Sequence, residues 1–158
     1  IELGHRSIAH LGGPLDWYDA REREQGWRET LEQEGLPVLP ATNGDWTSDH
    51  GYEFGRSFEA GDVTAVFASN DQMALGLIHG LAERGIRVPE DISVVGFDDL
   101  PDSRHFLPPL TTVRQDFHAL GALALQLIIA AIEGEEAVQH DVIEPALIVR
   151  SSTSRPRS

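Results

Sequence analysis

Short apolar runs alternate with longer amphipathic segments over the first hundred residues of the chain. Four runs have the length and composition of strands, at residues 8–11, 36–39, 65–68 and 92–95. The amphipathic segments between them predict helices, at residues 19–34, 51–60 and 72–84. The order β-α-β-α-β-α-β predicts an α/β fold, a Rossmann-like parallel sheet flanked by helices and joined by right-handed crossovers.

Local signals refine three of these elements. Trp27 and Leu31 are four residues apart, which places them on one face of the first helix. Pro37 lies within the run at 36–39 and Pro40 follows it, so we expect that strand near an edge of the sheet. Thr47 or Ser48 is the expected cap of the second helix, which Gly51 and Gly55 should weaken.

The pattern changes after Asp99. Residues 100–109 contain three prolines and predict a long loop, and residues 110–115 predict an extended segment. Residues 116–133 predict a helix capped by Asp116, whose apolar stripe is so wide that something must cover it. Residues 142–149 predict a further extended segment, and the polar tail at 151–158 has little reason to be ordered.

The charge of the chain argues against a nucleic-acid surface in this segment. The formal net charge is −14, there is no Lys, and the 12 basic residues are all Arg and widely spread. Phosphate binding needs clustered cations, so the acidic surface mainly explains solubility. There is no Cys for a disulfide framework, and the most apolar stretch is too short to span a bilayer. We therefore expect a soluble fragment of a longer protein, without membrane contact.

Polar side chains follow two of the predicted strands at the point where each strand ends. Asn70 and Asp71 come directly after the run at 65–68, and Asp98 and Asp99 follow the run at 92–95. The carboxyl ends of parallel strands are where open α/β sheets bind ligands. These residues are therefore candidates for two roles, as helix caps and as ligand contacts.

The two aspartates allow three interpretations. They could hold Mg²⁺, as in phosphorylation-receiver domains, or one could act as a general base. Alternatively, Asp99 braces the following loop while Asp98 accepts hydrogen bonds. In the third interpretation, Asp98 and the amide of Asn70 bind the adjacent hydroxyls of a neutral polyol.

Other candidate residues also have a functional and a structural interpretation. Arg21 and Arg23 begin a helix, where a positive charge is unfavourable without a partner, so each could face a ligand or solvent. Trp46 could be core packing or the platform for the C–H face of a sugar ring. The seven histidines lack zinc-site spacing, and no phosphate-binding or nucleophile-elbow motif occurs, so we expect no cofactor and no metal.

Several longer motifs carry a resemblance to a known family. GHRSIAHLGGPL, DARERE, GDWTSDHGYE, SNDQMALG, VPEDISVVGFDD and PPLTTVRQDF are similar to segments of the LacI/GalR family of bacterial transcription repressors. The match runs from Gly4 to about Thr153. The resemblance implies a periplasmic-binding-protein-like type I lobe, one of two α/β lobes that enclose an effector.

The resemblance also implies individual roles for residues. Arg23 resembles the arginine that holds sugar hydroxyls, Trp46 the stacking tryptophan, and Asn70 and Asp98 the paired polar contacts. Gln115 and Phe117 resemble cleft-lining residues at the crossover between lobes, whereas Asp19 replaces a small hydroxyl residue. The ligand-binding set expected from pattern and resemblance together is Asp19, Arg21, Arg23, Trp46, Asn70, Asp98, Gln115 and Phe117.

The family's organisation implies boundaries and partners. Residues 1–115 would form the C-terminal lobe, 116–138 a helix of the N-terminal lobe, 139–153 a returning strand and 154–158 a disordered tail. The resemblance implies a cytoplasmic, non-enzymatic homodimer, paired through the third helix and residues 103–107, that binds a sugar-like effector and reaches DNA only through an absent headpiece. The alternatives are a periplasmic sugar-binding receptor and a Mg²⁺-dependent phosphoryl-transfer domain.

Overall fold

The computed structural model describes residues 1–134 and 142–157, which form one six-stranded sheet with helices on its faces. The sheet has the strand order β2-β1-β3-β4-β5-β6. Its first five strands are parallel and β6 is antiparallel to β5. The strands are β1 Ile8–Gly12, β2 Thr42–Asn43, β3 Ala65–Ala68, β4 Ser93–Asp98, β5 Thr111–Arg114 and β6 Ala146–Ile148. The predicted α/β class and mostly parallel sheet are confirmed.

Four α-helices connect the strands: α1 Tyr18–Gln33, α2 Ser48–Ser57, α3 Asp71–Glu83 and α4 Phe117–Glu133. The predicted stripe of α3, Met73, Leu77 and Leu81, is completely buried against the strands. Side chains alternate between the two faces of a strand, so Leu11 of β1 joins this core while His10 faces α1. Helices α1 and α3 therefore cover opposite faces of the sheet.

Helices α2 and α3 approach each other closely enough to require glycine. A methyl group at Gly76 would overlap the carbonyl oxygen of Ser48, and one at Gly51 would overlap that of Met73. We expected the glycines of α2 to weaken the helix. The structure shows that they allow the two backbones to pack in contact.

The second strand is not where the apolar pattern placed it. Residues 36–39 form no strand, and β2 is instead the pair Thr42–Asn43, beside Leu11 and Gly12. Pro37 and Pro40 each remove a backbone donor, which prevents regular pairing of the predicted run. The expected edge position is nevertheless correct, because β2 is the first strand of the sheet.

Helix α4 has an apolar surface that the rest of the described structure leaves largely uncovered. Asp116 caps it as predicted, with a carboxylate oxygen that accepts from the N–H of Ala119 at 2.9 Å. Within the described residues, no side chain of α4 is buried. The predicted boundary between a helix ending at 138 and a strand beginning at 139 lies outside the described residues.

The polar tail has specific partners, although the sequence indicated no reason for order. The hydroxyl of Ser152 donates to the carbonyl of Val94 at 2.6 Å and accepts from the N–H of Thr111 at 2.7 Å. The N–H of Ser154 donates to the hydroxyl of Ser93 at 3.0 Å, and Arg157 forms an ion pair with Asp91. Residues 151–157 are thereby attached to the amino ends of β4 and β5.

Candidate functional site

A groove of about 320 Å³ lies at the carboxyl ends of the central strands, where α1, α3 and α4 begin. Its walls contain seven of the eight expected ligand-binding residues, Asp19, Arg23, Trp46, Asn70, Asp98, Gln115 and Phe117. Polar groups and aromatic rings therefore share one concave surface, at the edge where open α/β sheets bind ligands. That these residues bind a ligand stays a prediction.

Trp46 forms the aromatic wall of the groove and is held by contacts with Asn70 and Gly13. Its backbone has a φ of +72°, a left-handed conformation that is unfavourable for a bulky residue. The side-chain N–H of Asn70 donates to the Trp46 carbonyl at 2.9 Å. The indole lies against Gly13, where a methyl group would overlap the ring. The turn at Gly12, Gly13 and Pro14 therefore supports the tryptophan.

Asn70 performs the capping role predicted for it. Its side-chain oxygen accepts from the N–H of Met73 at 2.8 Å, which caps α3. Because its other bond holds Trp46, the buried amide positions the aromatic wall. A ligand contact from Asn70 would add to these two bonds.

Asp98 is the centre of the polar wall. Its backbone φ of +110° is strained, and its carboxylate accepts from the amide of Gln115 at 3.0 Å. The guanidinium of Arg23 lies 3.9 Å from the same oxygen. Burial raises the pKa of Asp98, while the charge of Arg23 and the bond from Gln115 act in the opposite direction. The remaining acceptor capacity of this carboxylate suits a ligand hydroxyl.

Arg23 reaches the groove from the second turn of α1, near the start of that helix. It donates to the carbonyl of Ser69 at 2.8 Å, and its guanidinium lies over the Phe97 ring at 4.0 Å. Burial lowers the pKa of Arg23, and the negative charges of Asp98 and Asp19 counteract that effect. The compensating partners expected for an arginine at a helix start are thus these two carboxylates.

Arg21 lies apart from the groove, contrary to the expectation that included it in the binding set. Its guanidinium donates to the carbonyl of Leu15 at 2.8 Å in an exposed position. Residues two apart on a helix point in different directions, so only one of Arg21 and Arg23 can face the sheet. Arg21 therefore faces solvent, which is one of the two orientations that the sequence left open for it.

Asp99 braces the loop after β4. Its carboxylate accepts from Arg114 and from Arg150, both at 2.6 Å, and from the hydroxyl of Ser103 at 3.3 Å. Burial opposes ionisation, but the hydrogen bonds and the positive charges of the two arginines lower the pKa of Asp99 below its usual value. This geometry matches the bracing interpretation of the aspartate pair. The described residues contain no cluster of three or more potential metal ligands.

His10 is buried and stacked between Trp27 and Phe67 at centroid distances of 5.2 and 5.0 Å. Its Nδ1 is 3.1 Å from the carbonyl oxygen of Phe67, and its Nε2 is 3.3 Å from the hydroxyl of Ser69. Burial lowers the pKa of His10 to about 4. Neutral His10 thus supports Ser69, the residue whose carbonyl holds Arg23.

Three further groove residues were missed by sequence reasoning, namely Trp17, Gln72 and Leu100. Trp17 follows the Gly-Gly-Pro turn and is the first backbone position before α1. An aromatic residue in the loop between a strand end and a helix start was the available signal.

Comparisons of the sequence with a protein-family model and with curated proteins agree with each other. The periplasmic binding protein-like domain family matches residues 1–153. The lactose operon repressor of Escherichia coli (strain K12) is 37% identical over 160 residues, an alignment that covers 100% of this chain and 44% of the repressor. The transcriptional repressor PurR of Pasteurella multocida (strain Pm70) is 39% identical over 158 residues, which cover 96% of this chain and 47% of that repressor.

Solved structures agree with these relatives. A dimeric Lac repressor with an 11-residue C-terminal deletion superposes with a TM-score of 0.90 at 36% identity, covering 99% of this chain and 58% of that one. A complex of the transcriptional regulator CelR with cellobiose superposes with a TM-score of 0.88 at 40% identity, covering 96% of this chain and 48% of the regulator.

This chain spans about half the length of the curated relatives it matches. Among its described helices, none has both the length and the apolar character needed to cross a membrane. The match to the domain family extends over almost the whole chain, and both the curated relatives and the superposed structures named above are regulators of one type. The chain therefore belongs to the periplasmic binding protein-like domain family and, within it, to the LacI/GalR type.

Proposed function

We propose that this chain is the ligand-sensing part of a sugar-responsive transcriptional repressor, and that its groove binds one side of a neutral polyhydroxylated effector. The observation that carries the proposal is the placement of Arg23, Asp98 and Gln115 in the same groove as Trp46. Such a groove offers hydrogen bonds to hydroxyls and an aromatic face for ring C–H groups. The CelR structure, solved with cellobiose, supports a sugar as the ligand class.

The charges of the groove favour a neutral ligand. Arg23 is the cation in this groove, and Asp19 and Asp98 both act on it. An anionic ligand would meet more negative than positive charge, and desolvating it without a paired cation is costly. A hydroxyl ligand instead uses the free acceptor positions of Asp98 without adding charge.

We assign residues 1–115 to one lobe of a two-lobed binding core and the segment 116–138, which includes α4, to the other lobe. The support is the exposed apolar surface of α4, which a second lobe would cover. The large apolar residues exposed on α4 are Phe117, Leu120, Leu125, Leu127, Ile128, Ile129 and Ile132. In this arrangement Phe117 would contribute to the groove at the junction of the two lobes.

The ligand would act by closing the lobes, because an effector shifts a conformational equilibrium only by binding its states with different affinities. In the intact protein, DNA-binding heads outside this chain would respond to that closure. We expect a homodimer, because a similar repressor was solved as a dimer, and we expect it in the cytoplasm. The curated relatives are repressors, which favours this function over a periplasmic transport receptor.

A Mg²⁺-dependent phosphoryl-transfer reaction is less consistent with the geometry. Two arginines occupy the carboxylate of Asp99, while Asp98 faces the groove beside Arg23 and Gln115. A binding role needs no activated nucleophile, and these residues supply hydrogen bonds. We therefore propose a non-enzymatic domain.

Calorimetry on the full-length protein with a panel of mono- and disaccharides tests the proposal. Asp98→Asn should lower the affinity of the bound sugar at least tenfold, because it removes a charged acceptor from the polar wall. Asp102→Asn makes the same charge change on the exposed surface, outside the groove, and should have no effect. Equal affinities for Asp98→Asn and the unmodified protein would refute the site.

A further inference from the structure

Trp17 is a large aromatic residue that remains exposed at the edge of the groove. The exposed fraction of its surface is 56%, although its ring meets the Trp46 ring at a centroid distance of 6.2 Å and an angle of 77°. The two indoles thus form a corner in the groove wall. An indole left half in water gives up much of the free energy that its burial would provide.

The local fold does not account for a tryptophan at this position. Trp17 occupies the N-cap position of α1, where its side chain makes no capping hydrogen bond. Ser, Thr, Asp or Asn would stabilise the helix start better. The backbone is nevertheless held, because the Trp17 N–H donates to the carbonyl of Pro14 at 3.0 Å and its carbonyl accepts from the N–H of Arg21 at 3.3 Å. A fixed backbone therefore presents an exposed indole to the groove.

A series of neighbouring side chains connects Trp17 to Asp98, the centre of the polar wall. Asp98 lies beside Arg23 at 3.9 Å, the Arg23 guanidinium is 5.6 Å from the Trp46 ring, and Trp46 contacts Trp17. A single sugar ring that bonds to Asp98 and Arg23 and rests on Trp46 uses the first three members. Trp17 is then available to contact the group that is attached to that ring.

We infer that Trp17 is a specificity-determining residue that holds a second ring, so that the effector is a disaccharide or a glycoside with a cyclic aglycone. This inference rests on the proposed sugar-binding function and narrows its ligand class. The corner formed with Trp46 lets the second ring contact an indole face while the first stays on Trp46. Gly13 and Asn70 fix Trp46, so the surface is formed before the ligand arrives.

Calorimetry on the full-length protein with matched probes tests the inference. The probes are the methyl β-glycosides of glucose and galactose, which have one ring, and cellobiose and lactose, which have two. The unmodified protein should bind a two-ring probe more tightly than its one-ring counterpart. Trp17→Ala should lower two-ring affinity about tenfold, or about 1.4 kcal/mol, and one-ring affinity less than twofold. Trp17→Phe should retain most of the two-ring affinity.

Tyr52→Ala is the matched control, because Tyr52 is an aromatic residue of α2 that lines a separate cavity and lies outside this groove. It should leave both affinities unchanged. Equal losses for one-ring and two-ring probes in Trp17→Ala, or no preference for two rings in the unmodified protein, would overturn the inference and leave the sugar site in place. Failure of every probe to bind the unmodified protein would overturn the proposed function, and the inference with it.

Discussion

The indole of Trp46 lies so close to the backbone of Gly13 that no side chain can be added there without moving the ring. The turn after β1 and the loop before α2 are thus fitted to each other, although 33 residues separate them in sequence. The aromatic wall of the groove depends on this fit as much as on the tryptophan.

Gly13→Ala should therefore weaken ligand binding by displacing Trp46. We expect a loss of affinity of about tenfold by calorimetry, within the range of about 0.5–1.5 kcal/mol for aromatic contacts. The double variant with Trp46→Ala should bind no more weakly than Trp46→Ala alone, since both changes act through one ring. Additive losses would show that Gly13 contributes in another way.

Stability should fall as the pH decreases from 6.5 to about 4 because of His10. Its pKa is about 4 in the fold and 6.5 as a free side chain, so in this range the unfolded chain binds the proton that the folded chain excludes. At about 1.4 kcal/mol per pKa unit, the full loss is about 3 kcal/mol. Urea unfolding at pH 7 and pH 5 measures the slope.

His10→Phe should flatten this pH dependence, because it keeps the ring between Trp27 and Phe67 without a titrating group. His105→Gln removes an exposed histidine and should leave the slope as it is. A slope that is unchanged in His10→Phe would contradict the assignment.

Ser152→Ala should destabilise the fold by about 3 kcal/mol, because it leaves two buried backbone groups without partners, the Thr111 N–H and the Val94 carbonyl. The change is measured as the free energy of unfolding in urea. Ser151→Ala, one residue earlier and exposed, should change it by less than about 0.5 kcal/mol. Similar values for the two variants would mean that the tail contributes little.

Gly76→Ala should also destabilise the fold, by about 3 kcal/mol, since the added methyl group would separate α3 from the Ser48 carbonyl of α2. In contrast, Gly26→Ala places a methyl group on α1 with no heavy atom within 4 Å and should stabilise that helix by up to about 1 kcal/mol. Thermal unfolding of the two variants should therefore shift in opposite directions.

The elements with a strong local pattern were predictable. The stripe of Met73, Leu77 and Leu81 has the helical period, and the buried apolar runs at β3 and β4 are followed by polar residues where each strand ends. Because β3 and β4 are parallel neighbours, their carboxyl ends lie together, so the sequence pattern predicts Asn70 and Asp98 at the same end of the sheet. The prediction of a strand at 36–39 was wrong, because prolines lack the backbone N–H that strand pairing needs and this outweighs the apolar character of the run.

Long-range polar contacts were not predictable from the chain alone. Ser152 bridges Val94 and Thr111 across 58 and 41 residues, and a small polar residue near a terminus gives no local signal of such a role. The different directions of Arg21 and Arg23 depend on the rotation of α1 against the sheet. Trp17 was not predicted as a groove residue, because hydrophobic periodicity identifies the buried faces of helices and strands. Trp17 lies on none of these faces.

The chain has three tryptophans, of which Trp17 and Trp46 line the groove and Trp27 is stacked on His10. One is half in water, one is stacked on a histidine and one forms the wall. Indole emission responds to water and to neighbouring rings, so a molecule entering the groove would alter the light emitted by this part of the protein. The site carries its own optical reporter, and occupancy can be followed without attaching a dye.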